Sequence, residues 1–114
     1  MKKDSIAYLE DILECIDIMQ RYTKNVRWHD FERDIQMQDA VIRRFEIIGE
    51  AIKRISQEVR KENLEIPWKR IGGMRDFLIH EYDEITLGVI WKTIQEDIEP
   101  FKIGIKSLMK KIKK

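Results

Sequence analysis

The spacing of the apolar residues restricts this chain more than any other feature. Ile6, Leu9, Leu13, Ile16 and Met19 recur at steps of three and four, with Ile12 alongside. Phe31, Ile35, Val41, Ile42, Phe45, Ile48, Ile52, Ile55 and Val59 carry a second stripe. Leu87, Ile90, Trp91, Ile94, Ile98, Phe101, Ile105, Leu108 and Ile112 carry a third. Residues three and four apart share one face of an α-helix, so each stripe is the buried side of a helix. No run alternates with period two for long enough to demand a strand. The expected class is all-α.

Punctuation between the stripes sets the expected boundaries. Helix 1 is expected over about 5–24, with Asp4 as N-cap. Residues 24–30 read as a loop. A long second helix is expected over about 31–61, with Asp30 as its N-cap and Lys61-Glu62-Asn63 as its end. Gly49 falls inside it, where glycine costs about 1 kcal/mol relative to alanine. A close helix crossing is the structural reason to keep it there. Pro67 opens a short helical turn through Trp68 and Ile71. Gly72-Gly73 precedes a third helical stretch over about 73–81, and Thr86 is a candidate cap for the last. That last helix spans about 87–112 with a kink near Pro100, or else two helices meet there.

A chain of 114 residues makes one domain, 1–114, with room for a core. Its 22 basic and 21 acidic side chains leave a net charge of +1. Any basic footprint for nucleic acid must therefore be local. The tail beyond Pro100 has Lys102, Lys106, Lys110, Lys111, Lys113 and Lys114 and no acid. It reads as a solvated face suited to a helix C-terminus, with a docking strip for phosphates as the sharper alternative. The single Cys15 excludes an internal disulfide and a cysteine-based zinc site, and reads as a buried thiol. Glu10, Asp11 and Glu14 interrupt any leader-like apolar run, and nothing approaches a membrane span. The expected location is cytoplasmic.

Most catalytic signatures are absent: no Gly-rich phosphate loop, no G-x-S-x-G and no H-E-x-x-H. The remaining candidate is Arg75-Asp76-Phe77-Leu78-Ile79-His80-Glu81-Tyr82. On a helix, with Arg75 at zero, Asp76 falls near about 100° and His80 near about 140°, while Met74, Phe77 and Leu78 share the opposite sector. Asp76 and His80 form an i, i+4 pair in which the carboxylate favours the charged imidazole. Tyr82 returns to the arginine side. An arginine, an acid-supported histidine and a phenol suit phosphodiester chemistry: the imidazole moves a proton and the guanidinium stabilises charge on phosphate oxygens. A separation of about 140° keeps Arg75 and His80 from converging on one phosphorus from one straight helix. A second copy across a two-fold axis would complete a composite cleft, so a homodimer is expected. The bland alternative is an ordinary surface pair. His29 reads as part of a helix-entry loop. Arg43-Arg44 reads as a solvated face or an ion pair with Glu46 or Glu50. Trp68 and Trp91 read as core.

The same residues match a known pattern. Arg75 to Tyr82 resembles the R-x-x-x-x-H-x-Y motif of HepT-like HEPN toxins. Gln38-Asp39-Ala40-Val41-Ile42-Arg43-Arg44-Phe45-Glu46-Ile47-Ile48-Gly49-Glu50-Ala51 resembles the long-helix segment of that family. Ile66-Pro67-Trp68 with Ile71-Gly72-Gly73-Met74-Arg75 resembles its approach to the motif. Val89-Ile90-Trp91 and Asp97-Ile98-Glu99-Pro100 resemble its final helix. The resemblance implies an HEPN-type up-and-down bundle of four to five helices, the last kinked near Pro100, that dimerises around its active cleft. It implies the toxin of a type II/VII-like HEPN–MNT toxin–antitoxin pair. That toxin is a metal-independent endoribonuclease, needing no cofactor, that uses the RNA 2′-hydroxyl as nucleophile. Arg75 would stabilise the transition state, His80 would transfer the proton, and Asp76 would support the site where many relatives carry asparagine. Tyr82 matches the tyrosine that an MNT-type nucleotidyltransferase antitoxin modifies with AMP, adding charge and bulk at the cleft. Two alternatives stand beside this reading. One is a non-catalytic nucleotide- or partner-binding subunit of a nucleotidyltransferase complex. The other is a helical dimerisation scaffold with Arg75 and Asp76 in structural ion pairs.

Overall fold

A computed structural model of the chain describes residues 2–75 and 83–114. A 3-10 turn, Lys2–Ser5, leads into α1, Ile6–Thr23. Then follow α2, Trp28–Arg33; α3, Ile35–Arg54; α4, Gln57–Glu62; α5, Trp68–Gly72; α6, Glu84–Glu96; and α7, Ile98–Lys113. No strand occurs among the described residues, as the stripes require.

The core is the meeting of those stripes. Leu9, Ile12, Ile16 and Met19 of α1 lie along Val41, Phe45, Ile48 and Ile52 of α3, all buried. Helix α5 covers another part of α3, α7 lies against α1, and α6 bridges α7 and α2. Aromatic rings fix two of these seams. Phe31 and Trp91 join α2 to α6 with centroids 5.0 Å apart. Trp68 meets Phe101 of α7 edge to face at 6.2 Å. Trp68 also donates its indole N–H to the Asn63 carbonyl at 3.1 Å, as a buried indole requires. Both tryptophans therefore serve the core, as their stripes imply.

The boundaries differ from the sequence reading at two breaks, and a third decides between two alternatives left open there. The stretch expected as one helix over 31–61 is three helices. Asp34, with extended backbone, is the N-cap of α3 and accepts from the Met37 amide at 3.0 Å. Asp30 lies inside α2 instead, where its carboxylate accepts from the Arg27 amide at 3.2 Å. Gln38 repairs the break by donating to the carbonyls of Phe31 and Glu32, at 2.9 and 3.0 Å. Those are the groups a helix end leaves without partners. At the second break Ile55 stays buried in extended backbone, and Ser56 caps α4 by accepting from the Val59 amide.

The third break separates α6 from α7 at Asp97, which realises the two-helix alternative. Pro100 then lies in the first turn of α7, where a missing amide costs no hydrogen bond. Helix α6 starts one turn earlier than expected, because Asp83 is its cap and accepts from the Thr86 amide at 2.7 Å. The chain also enters α2 already at Trp28, so the loop is only 24–27, with Asn25 at φ 60°. Asp4 sits in the opening 3-10 turn, and Ser5 occupies the N-cap of α1. These breaks raise the count to seven helices among the described residues.

Asp34→Ala is expected to lower stability by about 1 kcal/mol, the usual cost of an N-cap. Thermal unfolding of Asp34→Ala and Asp30→Ala checks this; a larger loss from the exposed Asp30 would contradict the assigned break.

Candidate active site

Arg75 is placed by three neighbouring elements. Residues 73–75 form a 3-10 turn that continues α5, so the expected helical stretch over 73–81 opens in 3-10 geometry. Asp76, His80, Tyr82 and the rest of that stretch lie outside the described residues.

Helix α3 supplies the floor. A Cβ built on Gly49 would lie 3.4 Å from Arg75 Cδ, 3.6 Å from Arg75 Cβ and 3.6 Å from the Gly72 carbonyl. The expected close crossing at Gly49 is thus real, and what crosses there is the segment carrying the arginine. The next residue, Glu50, reaches the guanidinium: its Oε1 contacts Arg75 Nη1. That nitrogen is buried but lacks an aligned hydrogen bond. The contact is therefore ionic, a tether rather than a fork. The Arg75 and Glu50 side chains remain 37% and 49% exposed, so solvent or a ligand reaches both.

On the far side, Met74 is buried, and its sulfur accepts from Thr93 Oγ1 of α6 at 3.6 Å. The same hydroxyl lies 2.9 Å from the Val89 carbonyl within its own helix, so its one proton is shared between the two acceptors. Arg70 of α5 reaches Asp97 between α6 and α7, with Nε to Oδ2 at 3.0 Å. The approach to Arg75 is thus fastened to α3, α6 and the α6–α7 junction at once. A cation held this way can bind an anionic group and stabilise charge growing on it.

Sequence reasoning found Arg75 and the glycine beneath it, and missed Glu50 as the arginine's partner. It offered Glu50 to Arg43 or Arg44. Arg43 is exposed, whereas the Arg44 guanidinium lies beside the Cys15 thiol. Burial pushes that thiol up from its ordinary range, and Arg44 offsets part of the rise. A buried thiol held protonated is a poor nucleophile. His29 is exposed at the start of α2. Among the described residues, no group of three or more His, Cys, Asp or Glu side chains is placed to share a metal ion. No helix among them is long and apolar enough to cross a membrane.

Comparison with known proteins gives consistent matches. The sequence profile of the family described as "Ribonuclease HepT-like" matches residues 12–108. A Thermococcus cleftensis protein named "Probable ribonuclease HepT" is 43% identical over 110 residues, 96% of this chain and 100% of that protein. A Caldanaerobacter subterraneus protein whose name offers RNase as a provisional activity is 39% identical, over 93% of this chain and 95% of that one. A Methanocaldococcus jannaschii protein, named a gamma-glutamylcyclotransferase and provisionally an RNase, is 44% identical across this whole chain. This chain spans only 51% of that longer relative. No solved structure matches significantly.

Gly49→Ala is expected to be tolerated or stabilising by up to about 1 kcal/mol, since helical glycine is replaced and the new methyl meets only ordinary contacts. Gly49→Leu must displace Arg75 and should lower the melting temperature. Equal effects of the two in thermal unfolding would contradict the close approach. Glu50→Gln should cost under about 1 kcal/mol, as half-exposed pairs do.

Proposed function

Because the chain belongs to the HepT-like ribonuclease family, we propose that it is a metal-independent endoribonuclease whose cleft is completed by a second copy. The observation that supports this most directly is the placement of Arg75. Its side chain is tethered by Glu50 and remains 37% exposed, next to the segment that carries the rest of the motif. In the reaction proposed, the RNA 2′-hydroxyl attacks the adjacent phosphorus. A 2′-oxygen–phosphorus bond forms and the bond to the leaving 5′-oxygen breaks. His80 takes or returns the proton, and Arg75 neutralises charge on the non-bridging oxygens. Asp76 supports the imidazole. The 2′-hydroxyl requirement excludes DNA as substrate.

In this reading the protein is the toxin of an HEPN–MNT pair, and the antitoxin is a nucleotidyltransferase that transfers AMP to Tyr82. The added phosphate brings negative charge to a site built for phosphate, which repels RNA. The Glu50 contact favours one competing reading, the helical dimerisation scaffold in which Arg75 serves a structural ion pair.

The deciding comparison is cleavage of RNA by wild type, Arg75→Ala and His80→Ala, each shown to be folded by circular dichroism. Losses of about 10²–10³-fold are expected for Arg75→Ala and about 10²–10⁴-fold for His80→Ala. Arg75→Lys should restore little, since an ammonium cannot present a planar fork. Folded wild-type dimers that leave RNA and bacterial growth intact would sink the nuclease reading and leave the binding subunit.

A further inference from the structure

The near-neutral net charge hides a local basic concavity away from Arg75. A cavity of about 600 Å³ opens between α4 and α5. Arg60 and Lys61 line it from α4, and Lys69 and Arg70 from α5. No acidic residue is among the described residues that line it. Arg70 is engaged by Asp97, but among the described residues Arg60, Lys61 and Lys69 form no ion pair. Arg60 Nε is buried without a hydrogen-bond partner. Leu64, Ile66, Pro67 and Trp68 supply its apolar lining, with Gln57 beside Arg60 and Lys61 on α4. Leu64 is 78% exposed in the turn between the two helices.

We propose that this groove binds single-stranded RNA, as a second contact site on the strand that Arg75 engages. This rests on the nuclease reading for the identity of the ligand. Unpaired strands are held by a positively charged groove that tracks the phosphates, with side chains against which bases pack. This groove supplies the charge, and the exposed Leu64 supplies aliphatic contact where other such grooves use aromatic rings. Position supports continuity: α5 supplies two of the cations and runs directly into the 3-10 turn that ends at Arg75. Arg75 lies five positions after Arg70, a rise of about 8–10 Å in helical geometry. One strand can therefore span both. Two features of the cavity carry different parts of the recognition. Lys61 and Lys69, both exposed, neutralise phosphates, and Leu64 takes a base.

Those two contributions separate by salt. Each phosphate neutralised on a single strand contributes about 0.7 to the slope of log affinity against log salt. The experiment titrates a fluorescent RNA oligonucleotide into the full-length His80→Ala protein across a series of salt concentrations. Lys61→Gln with Lys69→Gln is expected to weaken binding and reduce the slope by about 1.4. Leu64→Ser should weaken binding several-fold and leave the slope unchanged. Lys110→Gln with Lys113→Gln removes the same charge from the C-terminal tail and should change neither. Unchanged affinity and slope in the groove variants overturns the proposal, as does loss carried by the tail variant instead. Binding of AMP as tight as that of the oligonucleotide also overturns it, because the groove would then be a mononucleotide site. Cleavage by the His80 protein is scored separately. RNA bound through the groove without cleavage keeps this inference and fails the nuclease reading. Cleavage with groove variants indistinguishable from wild type does the reverse.

Discussion

The small size of residue 49 is the constraint on which the candidate site depends. A large side chain on α3 there would collide with Gly72 and Arg75, whereas a lone Cβ would meet them at ordinary contact distance. With glycine there, the approach segment passes about one methyl group from the helix. The arginine stem then lies on α3 and its head reaches the neighbouring carboxylate. A mid-helix glycine lowers helix stability by about 1 kcal/mol, and α3 bears that because both its ends are well secured. Asp34 caps one end, while the amide of Ile55 closes onto the Ala51 and Ile52 carbonyls at the other. The rigid helix then serves as a platform rather than only as core.

The helices were legible because burial imposes a period, and a period survives small interruptions. That same tolerance hid the breaks. Phe31 and Ile35 are one helical step apart and both belong to the second stripe, so nothing in the pattern marks Asp34 as a cap between them. The repair is long in sequence: the Gln38 side chain satisfies carbonyls six and seven residues back. At Ile55 the residue remains buried although the helix has ended, so an apolar stripe passes straight through. Ser56 did carry a readable capping signal, since serine favours the N-cap of a following helix. Pro100 drew attention to the right junction but not to the residue that breaks the helix. Proline is disruptive only after the first turn, and Asp97 places it within that turn.

The site divides in the same way. Arg75 was found through a local motif, and Gly49 through the cost of glycine in a helix. Glu50 was missed because an ion pair spanning 25 positions leaves no trace in local spacing, whereas Arg43 and Arg44 lie within a helical turn or two of it. Arg44 instead approaches Cys15 on another helix. Charge partners between elements are set by packing, and packing is what a single sequence records least directly.

Net charge is misleading for a related reason. A sum over 22 cations and 21 anions says nothing about where each sign gathers. The lysine-rich tail looked like the basic surface because its charges are adjacent in sequence. In the fold, Lys102 of that helix turns to Asp17 and Gln20, and Lys111 donates to the Asn63 side chain. Part of the tail's charge therefore docks α7 onto α1 and the α4–α5 turn. The cations left facing a cavity come from two short helices, α4 and α5, whose sequences carry no conspicuous basic run. Asn63 connects the two facts. Its carbonyl accepts from Trp68, its Oδ1 accepts from Lys111 and its Nδ2 donates to Val59. One buried asparagine thus fixes the turn that presents Leu64 outward and ties both walls of the groove to the bundle.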